Sequence, residues 1–219
     1  MAFLPPDPAV AWTAIDLVDR FGPMPLHRVL TEPVPGTATV EDVIRLDDHE
    51  DRLCELIDGI LIEKVYGFYK SLLGVDLIAA ISSSEGYRDA GIATGAGGTL
   101  QISPGQVRIP DLAFISYERL NRSDFRQNPV PLLAPDLVAE FVTCYHTKRE
   151  LDRKLEDYFA AGVRLAWHID LEESLVRVYT RADERTILRE SDTLTGGTVL
   201  PGFELPLESY FSRRYEFHA

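Results

Sequence analysis

Two nearly apolar stretches of this 219-residue chain are each interrupted by one acid. In VRIPDLAFIS (107–116) the acid is Asp111, in phase with Val107, Ile109, Ala113 and Ile115. In LVAEFVT (137–143) it is Glu140, in phase with Val138 and Val142. Runs that are apolar on both faces are how centrally buried strands read. Both acids are therefore expected in the middle of neighbouring strands, inside the core. A buried carboxylate without a partner costs several kcal/mol, so something must compensate each one. One solution is structural: an arginine or backbone N–H donors for each acid. The other is chemical: a divalent cation held between them. Mg²⁺ takes oxygen ligands, commonly one or two carboxylates, and keeps several waters.

Other side chains bear on that choice. Glu55 is in phase with Leu53 and Ile57, so it either points into the core or sits on an edge strand partly in water. Lys154 falls on the helix expected after the Glu140 strand, where it is either aimed at the carboxylates or solvated on a helix flank. Tyr158 lies one turn further on the same side and reads as a core residue with a wet hydroxyl. TGAGGT (94–99) lacks the lysine and the strand-to-helix setting of a phosphate loop and reads as a tight turn. The five histidines include no i, i+4 pair, so a helical zinc motif is absent.

The elements that must position these groups are legible from pattern. Residues 1–37 are proline-rich and read as an extension holding a short helix near Ala9–Arg20, lying on the domain or on a partner subunit. Residues 38–219 read as one α/β domain. Thr39 and Asp42 form a capping-box pattern opening a helix through Leu46. LCELIDGILIEKV reads as a hairpin turning at Asp58-Gly59. A helix is expected over Phe68–Ser83, then short strands at Ile92–Thr94, Thr99–Ile102 and Val107–Ser116. A polar loop with Pro129, Pro131 and Pro135 leads to the strand Leu137–Thr143. Lys148–Ala161 is amphipathic, with Gly162 as its stop signal. Strands at Leu165–Asp170 and Leu175–Thr180 follow as a hairpin. The order strand 137–143, helix 148–161, strand 165–170 is a βαβ crossover. With the hairpins elsewhere, the sheet should be mixed.

Composition narrows the setting. There is no apolar run long enough for a transmembrane helix and no signal-peptide pattern at the N-terminus. Cys54 and Cys144 sit in apolar runs and read as buried, reduced thiols of a soluble, cytoplasmic protein. The net charge is 22 − 35 = −13, which works against avid binding of nucleic acid through the overall field. Basic residues cluster at Arg119–Arg126 and Lys148–Lys154, so a local basic lip on an acidic body is expected.

The ordered set ELIDG (55–59), RIPDLAFIS (108–116), LVAEFVT (137–143), K-x3-Y-x3-GV (154–163), W-x2-D (167–170), VRVYT (176–180) and LPGFELPL (200–207) resembles the Uma-two family of "putative restriction endonucleases", within the PD-(D/E)xK nuclease superfamily. The resemblance covers roughly 38–211. It implies a restriction endonuclease-like α/β fold, a central mixed sheet flanked by helices, and Mg²⁺-dependent (or Mn²⁺-dependent) hydrolysis of phosphodiester bonds in DNA. By position, Asp111 and Glu140 match the motif acids. Together with the Phe141 carbonyl they would hold the metal. Glu55 matches the early glutamate, and would hold a water or a second ion. The superfamily lysine position holds Val142 here; Lys154, with Tyr158 after it, takes that role on the next helix. The chain departs from the family at Thr143-Cys144-Tyr145-His146, where a Ser-Pro-Ser-like segment is usual. Two alternatives therefore stand beside the endonuclease: a catalytically decayed fold acting as a binding or structural partner, and a hydrolase of small phosphoesters. The apolar, proline-rich extension makes a homodimer plausible.

Overall fold

The computed structural model describes residues 12–65 and 67–212. Local chemistry sets many of the boundaries. Helix α1 (Ala14–Phe21) starts at a Thr13–Asp16 capping box, and α2 (Val40–Glu50) at the expected Thr39–Asp42 box, where the Thr39 N–H donates to Asp42 at 2.9 Å. The part of the expected first helix before residue 12 lies outside the described residues. Strands β1 (Cys54–Ile57) and β2 (Ile60–Glu63) form the predicted hairpin. Asp58 and Gly59 both have positive φ, 53° and 74°, as the tight hairpin turn requires. A Cβ on Gly59 would sit 2.4 Å from the Gly36 carbonyl oxygen. Gly59→Ala is therefore expected to lower stability by at least about 2 kcal/mol, read from thermal unfolding.

The remaining elements are α3 (Phe68–Ser82), α4 (Tyr87–Ala90), β3 (Gly91–Gly95), β4 (Leu100–Ser103), β5 (Gln106–Arg108), β6 (Leu112–Ser116), α5 (Tyr117–Leu120), β7 (Leu137–Val142), α6 (Lys148–Ala160), β8 (Leu165–Asp170), β9 (Leu175–Arg181), β10 (Glu184–Arg189), β11 (Thr193–Gly196), β12 (Leu200–Pro206) and α7 (Leu207–Ser212). A small antiparallel sheet has the order β2-β1-β5-β4, and a larger one the order β10-β9-β8-β7-β6-β3. In the larger sheet β7 and β8 are parallel and joined through α6, the predicted crossover; its other pairs are antiparallel, so the sheet is mixed. Strands β11 and β12 form a separate ribbon.

Alternation decides what each face of the large sheet buries. Phe114, Leu137, Ala139, Phe141 and Trp167 pack with Leu73, Leu77 and Ile81 of α3 and with Phe203 and Leu207. Ala113, Ile115, Val138 and Ala166 pack with Leu155 and Tyr158 of α6. Trp167 is fully buried and stacks on Phe203, as its apolar strand suggested.

One expectation is corrected. Residues 107–116 are not a single strand: β5 belongs to the small sheet, β6 to the large one, and Ile109-Pro110-Asp111 crosses between them. Pro110 has no N–H to give a ladder, and Asp111 therefore stands at the entry of β6 rather than at mid-strand. The β6–β7 register places Leu112 opposite Ala139, so the next step along brings Asp111 level with Glu140. A second correction concerns the thiols. Cys54 is buried, but Cys144 is exposed, in the turn after β7.

Helix α1 and the segment after it pack on the β1–β2 hairpin. Leu17, Phe21, Met24 and Val29 pack against Ile57, Ile60 and Ile62. Among the described residues no helix is long and apolar enough to cross a membrane.

Candidate active site

The two acids that break apolar runs are both buried, Asp111 with 2% and Glu140 with 1% of its surface exposed. They are held differently. One oxygen of Asp111 accepts the Phe141 N–H at 2.8 Å. The carboxylate takes the place of a ladder carbonyl for Phe141, and this ties the entry of β6 to the end of β7. The other Asp111 oxygen lies 2.9 Å from the Lys64 amine, and Lys70 of α3 approaches to 3.6 Å. Lys64, just past β2, also donates to the Ile109 carbonyl. Burial pushes the Asp111 carboxyl up, but Lys64 and Lys70 outweigh it and hold the pKa at about 2. Burial also drives the Lys70 amine down, against the pull of Asp111.

Glu140 points to the α6 face. Its Oε1 accepts the Tyr158 hydroxyl at 2.7 Å and lies 3.2 Å from the Lys154 amine. Lys154 also pairs with Glu55 at 2.9 Å, so one ammonium bridges two carboxylates contributed by different sheets. Burial alone would discharge Lys154; Glu140 and Glu55 reverse that and raise its pKa above the ordinary lysine value. Tyr158, fully buried with its hydroxyl on a carboxylate, is pushed well above the usual phenol range and stays protonated. Its hydroxyl is dry, contrary to expectation.

Glu55 turns inward from β1. Besides Lys154 it accepts from Arg108 at 2.8 Å and from the Ile109 N–H at 3.1 Å. Burial opposes its ionisation, but Lys154 and Arg108 hold its pKa below the usual carboxylate range. Arg108, itself buried, pairs onward with Asp157 of α6. The structure thus gathers Asp111, Glu140, Glu55 and Lys154, residues from both sheets and α6, around the β5-to-β6 crossing.

Sequence reasoning missed Lys64, Lys70 and Arg108. Arg108 carried the same signal as Asp111, a charge inside an apolar run. Lys70 is a lone lysine in an apolar helix. The basic residues of the expected lip are partly engaged within the chain. Arg119 is bound to Asp136 and to the carbonyls of Ala134, Pro135 and Gly162. Lys148, Arg149 and Arg153 pair with Asp152, Asp19 and both Asp58 and Asp157. Arg119 and Arg153 are taken up by such contacts, whereas Lys148, Arg149 and Arg122, the last paired with Glu118, stay largely exposed.

The donor set suits a hard divalent cation. Among the described residues Glu140 Oε2 is buried and has no hydrogen-bond partner, and the Phe141 N–H bond to Asp111 brings the second carboxylate beside the same strand end. Asp111, Glu140 and the Phe141 carbonyl would supply oxygen ligands of the kind Mg²⁺ prefers. Among the described residues no group of three or more His, Cys, Asp or Glu side chains forms a ready coordination shell, so such a cation would keep several waters.

The family model described as "Uma2: Putative restriction endonuclease" matches residues 40–208. The chain belongs to the Uma2 family. A crystal structure described as "a putative nuclease belonging to DUF820", from Anabaena variabilis ATCC 29413, superposes with a TM-score of 0.65 at 19% identity, over 74% of this chain and 91% of that one. This likeness establishes the restriction endonuclease-like fold. No curated protein matches the chain. The family match spans every element that carries the site.

His168 lies beside Glu140 in the β7–β8 register and against the Tyr179 ring. Burial, then Lys154, lowers its pKa from 6.5 to about 3. The folded protein therefore binds fewer protons than the unfolded chain between these values. Stability is expected to fall by about 1.4 kcal/mol per pH unit below about 6.5 through this one residue. Replacing His168 with Phe should flatten that slope in denaturant melts run from neutral to mildly acidic pH.

Proposed function

We propose that this Uma2 protein is a divalent-cation-dependent phosphodiesterase acting on DNA, with Mg²⁺ as the natural ion and Mn²⁺ as its substitute. The observation that carries this reading is the unpartnered, buried Glu140 oxygen beside the Lys154 ammonium. A protein interior rarely leaves a carboxylate oxygen unsatisfied; here it lies at the one place where two motif acids meet. Asp111, Glu140 and the Phe141 carbonyl would hold the ion. When bound, it would polarise the scissile phosphate and make a nearby water more acidic.

The chain's own groups do the rest. Lys154 stays charged because two carboxylates hold it, and it is placed to stabilise charge building on phosphate oxygens. Glu55 keeps that amine aligned and can accept a hydrogen bond from the attacking water. Tyr158 orients Glu140 through a proton it does not release. The free thiols suit the reducing cytoplasm. Homodimerisation is part of the same proposal: α1 buries Leu17 and Phe21 within the chain and leaves Ile15 and Val18 exposed.

A second reading has its own support. The net charge of −13 works against gripping a long polyanion, which favours a small phosphoester as substrate. The test is a panel of supercoiled DNA, single-stranded oligonucleotide and nucleotide phosphoesters with Mg²⁺ or Mn²⁺, at low and high salt, with Glu140→Gln as control. DNA cleavage that weakens steeply with salt supports the first reading. Turnover of small esters alone supports the second. No turnover of any substrate, together with a silent metal titration, sinks both and leaves a fold without catalysis.

A further inference from the structure

The buried cluster is already electrically balanced. Glu55, Asp111, Glu140 and Asp157 face Lys64, Lys70, Lys154 and Arg108, all within ion-pair distance of at least one opposite charge. Lys154, Glu55 and Arg108 are locked in mutual pairs. Lys64 and Lys70 are not: among the described residues the carboxylate within ion-pair distance of each is that of Asp111, at 2.9 and 3.6 Å. Their side chains are 5% and 8% exposed, so water is a poor substitute partner. Asp111 cannot serve a divalent cation and two ammonium groups at once, because like charges at such range repel by several kcal/mol in a protein interior. Occupation of Asp111 by a cation leaves two buried positive charges that need an anion. The proposed reaction brings one, the phosphodiester.

We infer that Lys64 and Lys70 are the phosphate-holding pair of this site: Asp111 keeps them in the cation-free protein and cedes them to the non-bridging oxygens of the substrate when a cation is bound. This rests on the proposed function and adds a consequence to it. Cation and phosphate must bind with positive coupling, because each relieves the charge imbalance the other creates. The cation alone binds weakly, opposed by two ammonium groups.

The test is calorimetric titration of Mn²⁺ into wild type, Lys64→Met, Lys70→Met, Lys70→Arg and Asp111→Asn, with and without thymidine 5′-monophosphate. Both methionine variants are expected to bind Mn²⁺ about tenfold tighter than wild type when the nucleotide is absent, since one repelling charge at close range is gone. They should lose the gain in Mn²⁺ affinity that the nucleotide confers on wild type. Lys70→Arg keeps the charge and should behave as wild type. Lys70→Met removes the more distant amine and leaves Asp111 its 2.9 Å partner, so it should remain folded if Lys64→Met does not. Mn²⁺ affinity in the folded methionine variants that equals or falls below wild type overturns the inference alone, provided wild type binds Mn²⁺ and Asp111→Asn does not. Silence from every protein, wild type included, overturns the proposed function and this inference with it.

Discussion

Asp111→Asn is expected to reduce cation-dependent hydrolysis by at least about a thousandfold, equivalent to roughly 4 kcal/mol of lost transition-state stabilisation. The amide keeps the size of the side chain but loses the charge that would attract the ion. The same change has a structural cost. Lys64 and Lys70 would face a neutral group while still buried, and removing one partner of a buried ion pair typically costs about 3–5 kcal/mol. The variant should therefore lose both activity and stability, whereas a catalytic residue on an open surface would lose activity alone. Cleavage assays, Mn²⁺ calorimetry and urea unfolding on one preparation give all three readings. A folded Asp111→Asn protein that hydrolyses DNA at the wild-type rate would falsify the assignment of this site.

Lys154→Met should destabilise by a similar amount, about 3–5 kcal/mol. Its ammonium bridges Glu55 at 2.9 Å and Glu140 at 3.2 Å, and both carboxylates are almost fully buried. Without the bridge, Glu140 keeps only the Tyr158 hydroxyl on Oε1, and its Oε2 still has no hydrogen-bond partner among the described residues. Glu55 keeps Arg108 and the Ile109 N–H. Repulsion between the acids and their burial then add to the cost. Adding Glu140→Gln to Lys154→Met removes the stranded charge. The double variant should be more stable than the sum of the single changes predicts, by at least about 1 kcal/mol in a double-mutant cycle. Strict additivity would mean that the two groups do not interact as the distances imply. Activity should fall in Lys154→Met as well, but the stability cycle does not depend on finding a substrate.

How much of this was legible beforehand differs from residue to residue. Asp111 and Glu140 announced themselves because a carboxylate inside an apolar run is costly wherever the run ends up. Capping at Thr39, the Asp58-Gly59 turn and the β7–α6–β8 crossover were readable because each rests on contacts within a few residues or on a handedness rule. The split of 107–116 into β5 and β6 was not readable. A strand buried in one sheet and two short strands in different sheets present the same apolar string, and Pro110 is the sole local hint. Strand β10 escaped notice because its faces are largely exposed, and the β11–β12 ribbon because β11 is short and β12 is interrupted by Pro201-Gly202.

What the sequence by itself determined is therefore the elements, the family and the acids that need compensation, since these follow from local pattern and from the energy of burying charge. What only the tertiary structure decided is who compensates them. Lys64 and Lys70 come from a loop and the start of the next helix, Lys154 from a helix far along the chain, and a lysine's long flexible stem gives no sign in sequence of where its amine will rest. Pairing of buried charges is set by where the two sheets and the two helices converge, and that convergence is a property of the packed core rather than of any segment.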